Sequence, residues 1–293
     1  MDIQIEALNK VYSGEKQALS EVNLKIGAGM FGLLGPNGAG KSTLMQILAT
    51  IIPPTNGKVQ MGSLLLGRDD HQIRQCLGYL PQTSRFFDKL TGEEFLQYIA
   101  LLKGIKSAKD RRVAVTNLLE KVNLQQQAKQ RLKTYSGGMK QRIGIAQALL
   151  GNPEIIIVDE PTAGLDPEER IRFRELLEDL GRDRTIILST HIVADIEASC
   201  QSLAILDRGR IVFYGSIKNL LSKVENQVWT TIIPESDYLW SRNRTSLISR
   251  RKTVTGEFEV RMIARQCPYP GAQLAIPNLE DAYLYFTRGE SSE

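Results

Sequence analysis

The stretch GPNGAGKST, Gly35 to Thr43, limits what this chain can fold into more than any other. It fits G-x-x-x-x-G-K-[ST], follows the apolar run FGLL and opens the helical run LMQILATII. Its glycines let backbone N–H groups wrap a phosphate chain, and the helix behind it adds its positive dipole end. Lys41 reaches the β and γ phosphates, and the Ser42 hydroxyl can sit on Mg²⁺. Such a loop works only between a strand and a helix, so a sheet with helices packed on it is expected.

The rest of the pattern agrees with an α/β fold. IQIEAL, VNLKI, KVQMG and LGYLPQ read as strands before residue 83, and IIIV, TIILST, LAILD and RIVFY as strands after residue 154. Runs such as IIIV are wholly apolar, as in strands buried on both faces. Between them, at about 84–150, the character is helical. Thr91 with Glu94 resembles a capping box before Phe95, Ile99 and Leu102, and Ser107 with Asp110 opens a second helix before Val113, Leu118 and Val122. Pro53-Pro54 stops the helix after the glycine loop. RIRFRELLEDL is an amphipathic helix. After about Leu221 the pattern weakens to QVWTTII and GEFEVRMIA, two strands of a small sheet, and PNLEDAYLYF, a helix capped by Asn278. The basic cluster SRRK (249–252) reads as a solvated edge.

A Mg-nucleotide site wants a carboxylate at a neighbouring strand end, and IIIVDEP supplies two. Asp159 suits Mg²⁺, directly or through water; Glu160, facing differently because strand side chains alternate, suits a general base for the attacking water. His191 follows TIILST at another strand end, where active-site loops emerge in such sheets. Gln82, after LGYLP, can reach Mg²⁺ or the water, whereas His71 reads as structural. A second anion site is written in YSGGMKQR (135–142), a serine-glycine turn feeding the helix of Met139, Ile143, Ala146 and Leu150.

Composition narrows the setting. At 293 residues the chain holds one large domain with an appendage, or two ordinary ones. A net charge of +4 does not by itself call for nucleic acid, and none is expected as a partner. Cys76, Cys200 and Cys267 show neither metal spacing nor an even disulfide framework, which fits reduced thiols in a cytosolic protein. No apolar run approaches the ~18 residues that span a bilayer, and the N-terminus lacks the features of a secretory signal.

Taken in order, these motifs closely resemble the ATP-binding subunits of ABC transporters over about residues 1–220. GPNGAGKST, from Gly35 through Pro36, Asn37, Gly38, Ala39, Gly40, Lys41 and Ser42 to Thr43, looks like the Walker A loop. Gln82 matches the Q-loop, YSGGMKQR the signature motif, IIIVDE the Walker B strand with Glu160 in the catalytic position, AGLD ending at Asp166 the D-loop, and His191 the switch histidine. Tyr12 matches the aromatic that stacks on adenine. The resemblance implies a P-loop NTPase core, a RecA-like mixed sheet with an antiparallel β subdomain, carrying a helical subdomain insert at about 84–150; residues 221–293, outside it, read from their own pattern as a small α+β C-terminal domain of unknown role.

It also implies ATP and Mg²⁺ as cofactors, and two subunits sandwiching two ATPs head to tail. Ser136, Gly137 and Gly138 then serve the partner subunit's γ-phosphate, which answers why one chain carries two anion sites. A separate transmembrane permease is the second implied partner, contacting about 83–110, including Arg85, Phe86 and Phe87, and placing the protein peripherally on the cytoplasmic face of the membrane. Met139 in the signature, AGLD and PNLEDAYLYFT resemble the subunits that work with six-span, mostly exporting permeases. A soluble family member acting on ribosomes or DNA is the alternative. The single cassette and an insert of only some 60 residues argue against it. Intact Lys41, Asp159, Glu160 and His191 argue against a degenerate regulatory subunit.

Overall fold

A computed structural model of the chain describes residues 1–83, 86–162, 165–237 and 246–288. The chain divides into two compact units, Met1–Ile211 and Val212–Glu293. The first unit begins with β1 (Ile3–Val11) and β2 (Gln17–Ile26), then β3 (Gly29–Leu34), which leads through the glycine loop into α1 (Lys41–Leu48). Next come β4 (Asn56–Met61), β5 (Leu64–Leu65), α2 (Asp70–Cys76) and β6 (Leu77–Leu80). Three helices follow: α3 (Gly92–Leu102), α4 (Ala108–Lys121) and α5 (Gly137–Leu149). β7 (Ile155–Asp159), α6 (Pro167–Gly181), β8 (Thr185–Thr190), α7 (Val193–Ser199) and β9 (Ser202–Asp207) complete the unit, and β10 (Arg210–Ser216) leads out of it.

The main sheet has the order β10-β9-β3-β8-β7-β6. Its inner pairings, β9 with β3, β3 with β8, β8 with β7 and β7 with β6, are parallel. β7 and β8 are buried at every position, as strands covered on both faces must be. β10 joins through a two-residue hairpin, Arg208-Gly209, whose φ values of 46° and 79° are the left-handed pair a tight hairpin turn requires. That edge makes the sheet mixed. A separate antiparallel sheet, β2-β1-β4-β5, forms the β subdomain.

The register matters for function. Leu34 stands opposite Thr190, Asp159 opposite Ser189 and Leu80 opposite Val158. The carboxyl ends of β3, β6, β7 and β8 therefore emerge side by side, and the segments carrying Gly35, Gln82, Glu160 and His191 leave the sheet together. Ligands of open α/β sheets bind at that edge.

Local details differ from the sequence pattern in instructive ways. The alternation of β1 is broken between Ile5 and Leu8, where Ala7 adopts φ 45° and the register slips. The bulge returns Leu8 to the core side, and the Asn23 side chain accepts the hydrogen bond of the Ala7 N–H at 2.9 Å. The helix after the glycine loop ends at Leu48, well before the prolines: Thr50 takes φ 58°, its N–H donates to Ile47 O and that of Ile51 to Gln46 O. This is a Schellman end with threonine in the usual glycine position. Both capping signals of the insert are realised: Thr91 and Glu94 form a reciprocal box, and Ser107 accepts from Asp110 N. The buried faces are rotated from those expected. Phe95, Leu96 and Ala100 are buried in α3 while Leu102 is 65% exposed, and Val115 and Leu119 are buried in α4 while Val113 is 53% exposed.

The second unit continues with α8 (Ile217–Ser222), β11 (Val228–Ile233), β12 (Ser246–Lys252), β13 (Phe258–Ile263), β14 (Gln273–Leu274) and α9 (Leu279–Arg288). Its antiparallel sheet, β12-β13-β11-β14, closes over a small core of Ile233, Phe258, Val260 and Met262. Asn278 and Asp281 cap α9 reciprocally, at 2.7 and 2.9 Å. Asp281, fully buried, is also gripped by two nitrogens of Arg261, at 2.6 and 2.7 Å. The basic cluster lies on edge strand β12, with the Arg250 and Lys252 side chains over the Phe258 ring. No helix among the described residues is long and apolar enough to cross a membrane.

Candidate functional site

Glu160 is the hub of the site. It leaves β7 with φ 46°, a left-handed conformation rare for a side chain of its size, held by its N–H donating to Ser189 O at 2.8 Å. Asp159 and Glu160 thus face differently because the second turns off the strand, not because the strand alternates through both. Three groups converge on the buried Glu160 carboxylate. Lys41 Nζ lies 3.1 Å from Oε1, and Gln82 Nε2 and His191 Nδ1 lie 3.2 and 3.1 Å from Oε2. Lys41 is itself buried at the start of α1 and also donates to the Gly35 and Pro36 carbonyls at 2.8 and 3.1 Å. His191 keeps 40% of its side chain exposed, so one flank of the cluster faces solvent.

The glycine loop has the geometry of a cradle. Gly38 and Gly40 adopt φ values of 83° and 107°, which side chains rarely take. A Cβ on Gly40 would fall 2.5 Å from Ala18 O, and one on Gly35 would fall 2.2 Å from Leu206 O, whereas Gly38 faces open space. Asn37 and Gly38 are exposed at its rim, and Ala39 is buried behind them. Tyr12 stands beside the loop, its hydroxyl 3.4 Å from Thr43 Oγ1, its side chain partly exposed and Lys10 Nζ 5.3 Å over its ring.

Asp159 differs from its neighbour. Its Oδ1 is buried with no hydrogen-bond partner among the described residues. Burial raises its pKa, while the nearby Ser189 and Ser42 hydroxyls and the Lys41 ammonium pull the other way. An orphaned acceptor beside Ser42 is what a hard divalent cation would satisfy, so these residues fit Mg²⁺.

The serine-glycine turn is not part of this cluster. Ser136 caps α5 by accepting from Met139 N at 3.2 Å; Ser136 and Gly137 are exposed and Gly138 is buried. Asp166 caps α6, accepting from Glu169 N at 2.8 Å. Ala163 and Gly164 of the AGLD stretch lie outside the described residues, as does Arg85.

Sequence reasoning missed Asp195. This fully buried carboxylate accepts from Thr162 Oγ1 at 2.5 Å and Thr190 Oγ1 at 3.5 Å. Thr190 Oγ1 in turn accepts from Ile192 N at 3.0 Å. Asp195 thereby ties the segment after Glu160 to the one carrying His191. The only local signal is an acid four residues beyond that histidine, in the first turn of α7.

Known proteins carry the same architecture. The ABC transporter family profile matches residues 19–163. Over 96% of this chain and 98% of the relative, the sequence is 33% identical to the ABC transporter ATP-binding protein YxlF of Bacillus subtilis. The chain belongs to the ABC transporter ATP-binding proteins. The linearmycin resistance ATP-binding protein LnrL of Bacillus subtilis is another relative, 34% identical over 76% of this chain and 71% of its own length. Among solved structures, an ATP-binding cassette described as a dimer in a post-hydrolysis state with ADP and Pi superposes with a TM-score of 0.67 and 28% identity, covering 73% of this chain and 98% of that one. This ABC protein is accordingly an ATPase on the P-loop fold, the ATP-binding subunit of a transporter.

Proposed function

We propose that this subunit is the motor of an ABC exporter: two ATP-binding subunits close around two ATPs, and the closing and opening drive a separate permease. The observation that carries this reading is the Glu160 carboxylate, buried and met by Lys41, Gln82 and His191 within 3.2 Å. A carboxylate at a strand end, beside a phosphate loop, is placed to take a proton from a water attacking the γ-phosphate. Lys41 and the glycine-loop N–H groups hold the phosphates. His191 and Gln82 hold the carboxylate and the water in line, and the partly exposed Tyr12 ring stacks on adenine. Ser42, Asp159 and Gln82 would hold Mg²⁺, which neutralises phosphate charge and fixes the phosphate geometry.

Two further features support the partners. The N–H groups in the first turn of α5, from Gly137 and Gly138, have no carbonyl of their own helix to donate to, and Asp166 caps α6, so both can meet the partner's nucleotide. A groove of about 530 Å³, lined by Ile51, His71, Arg74, Tyr79, Ile99 and Leu102 among others, lies between the sheet and α3. With the exposed Phe87 and Tyr98 rings, it suits an amphipathic segment of a permease. Phe86 is half-buried and packs edge-on against Phe95 at 5.4 Å; Phe87 touches Phe95 and Tyr98 at 6.5 and 5.7 Å but stays exposed, so it is the more open of the two to a partner. The outward direction is favoured by the relative whose name marks it as a resistance protein.

Glu160→Gln tests the reading. It keeps the side chain's shape and removes the base, so turnover should fall by about 10²–10⁴-fold while ATP stays bound. A variant that hydrolyses at the parent's rate contradicts the assignment.

A further inference from the structure

Glu169 is the third residue of α6, and its start, D-P-E-E, has the form of a capping box. In such a box the glutamate side chain would return to the N–H of the cap residue. Here only half of the box forms. Asp166 accepts from Glu169 N at 2.8 Å, but the Glu169 carboxylate crosses to α5. Its Oε1 lies 3.3 Å from Arg142 Nη2, and its Oε2 fills the space beside Gly138, where a Cβ would fall 2.5 Å away. Arg142 also donates to Asn123 O at 3.2 Å, beyond the end of α4, and Arg172 stands 3.9 Å from the same carboxylate oxygen. Glu169 and Arg142 keep only 19% and 17% of their side chains exposed.

We propose that Glu169 is a positioning residue that, with Arg142, locks the signature turn at Gly138 to the Asp166 cap, so that both parts offered to the second subunit move as one. The inference rests on the reading of Ser136–Gly138 and Asp166 as a surface for the partner's nucleotide. The charges explain why a pair is needed. A carboxylate from α6 lying beside the first turn of α5 is favourable to that helix's dipole but repels an arriving phosphate, and the Arg142 guanidinium offsets that repulsion. Removing either member loosens the turn or unbalances its charge, with the P-loop untouched.

The test uses ATP-driven association of Glu160→Gln chains, followed by sedimentation velocity. Adding Glu169→Ala should weaken association about tenfold, as expected for coupling of this kind, with ATP affinity of the single chain unchanged and a modest fall in melting temperature from leaving Arg142 without its partner. Glu169→Gln, which keeps the volume and an acceptor for Arg142, should recover part of the loss. Arg142→Ala should weaken association similarly, and the double variant should be no worse than either single one. Undiminished association, additive losses, or losses that scale with the fall in melting temperature across the variants overturn the proposal. If Glu160→Gln chains bind ATP yet never associate, the composite-site reading falls and this inference with it.

Discussion

The N-termini of α1 and α5 both carry glycines at the helix start, and they are built to opposite specifications. At α1, the turn is knit into the fold: Lys41 is buried, held by two carbonyls and Glu160, and Gly35 and Gly40 leave no room for a Cβ. At α5, Ser136 and Gly137 are exposed, and a Cβ on Gly137 would meet nothing within 4 Å. Both helices open without an acid in the first turn, unlike α3, α4 and α6, so both can receive an anion. The difference separates a holder from a lid. Groups that hold a nucleotide permanently must be part of the core; groups that close over one must be complete in themselves and free on the outer side.

Lys41→Ala should have the largest effect. It removes the phosphate clamp and leaves the buried Glu160 carboxylate without its cation, so turnover should fall about 10³-fold, with ATP binding and melting temperature falling together. Gly137→Leu probes the other turn. Nothing in the chain meets the new side chain, so melting temperature and ATP binding by the single chain should hold while turnover drops about 10²-fold, a loss that must come from outside the chain. Equal damage to stability at both turns, seen by calorimetry, would erase the distinction between them.

Away from the two turns, Arg261→Ala strips the cation from fully buried Asp281. With 23% of the Arg261 side chain exposed, the cost should be about 2–3 kcal/mol, read by urea unfolding of the second unit, while ATP binding persists. The smallest effect on stability concerns Asp159. Burial raises its pKa, so the folded state holds this proton to higher pH than the unfolded chain does. Its contribution favours the fold below the ordinary carboxylate range and is lost as pH rises through the raised value. Asp159→Asn should therefore melt higher than the parent at neutral pH without Mg²⁺, and the two should converge in acid. The same variant should lose Mg-dependent turnover.

Much of this was legible in the sequence because it is local. The glycine loop is fixed by residue types within one turn, the buried strands by unbroken apolar runs, and the starts of α3, α4 and α9 by caps three residues long. What stayed hidden depends on contacts across the chain. The buried faces of α3 and α4 are set by neighbours, so Leu102 and Val113 turn outward despite their spacing. The left-handed turn at Glu160 is imposed by its bond to Ser189, and β12 is a strand because β13 pairs with it. Asp195 and Glu169 look like ordinary helix acids until the fold brings Thr162 to one and Gly138 to the other.

Association of Glu160→Gln chains with ATP, with and without Gly137→Asp, bears most directly on one nucleotide being held by one chain and covered by the other. Glu160→Gln chains should form dimers on adding ATP; with Gly137→Asp added, every chain should still bind ATP yet remain monomeric. Dimers that persist through the second substitution, or ATP lost from the isolated chain because of it, would contradict the account.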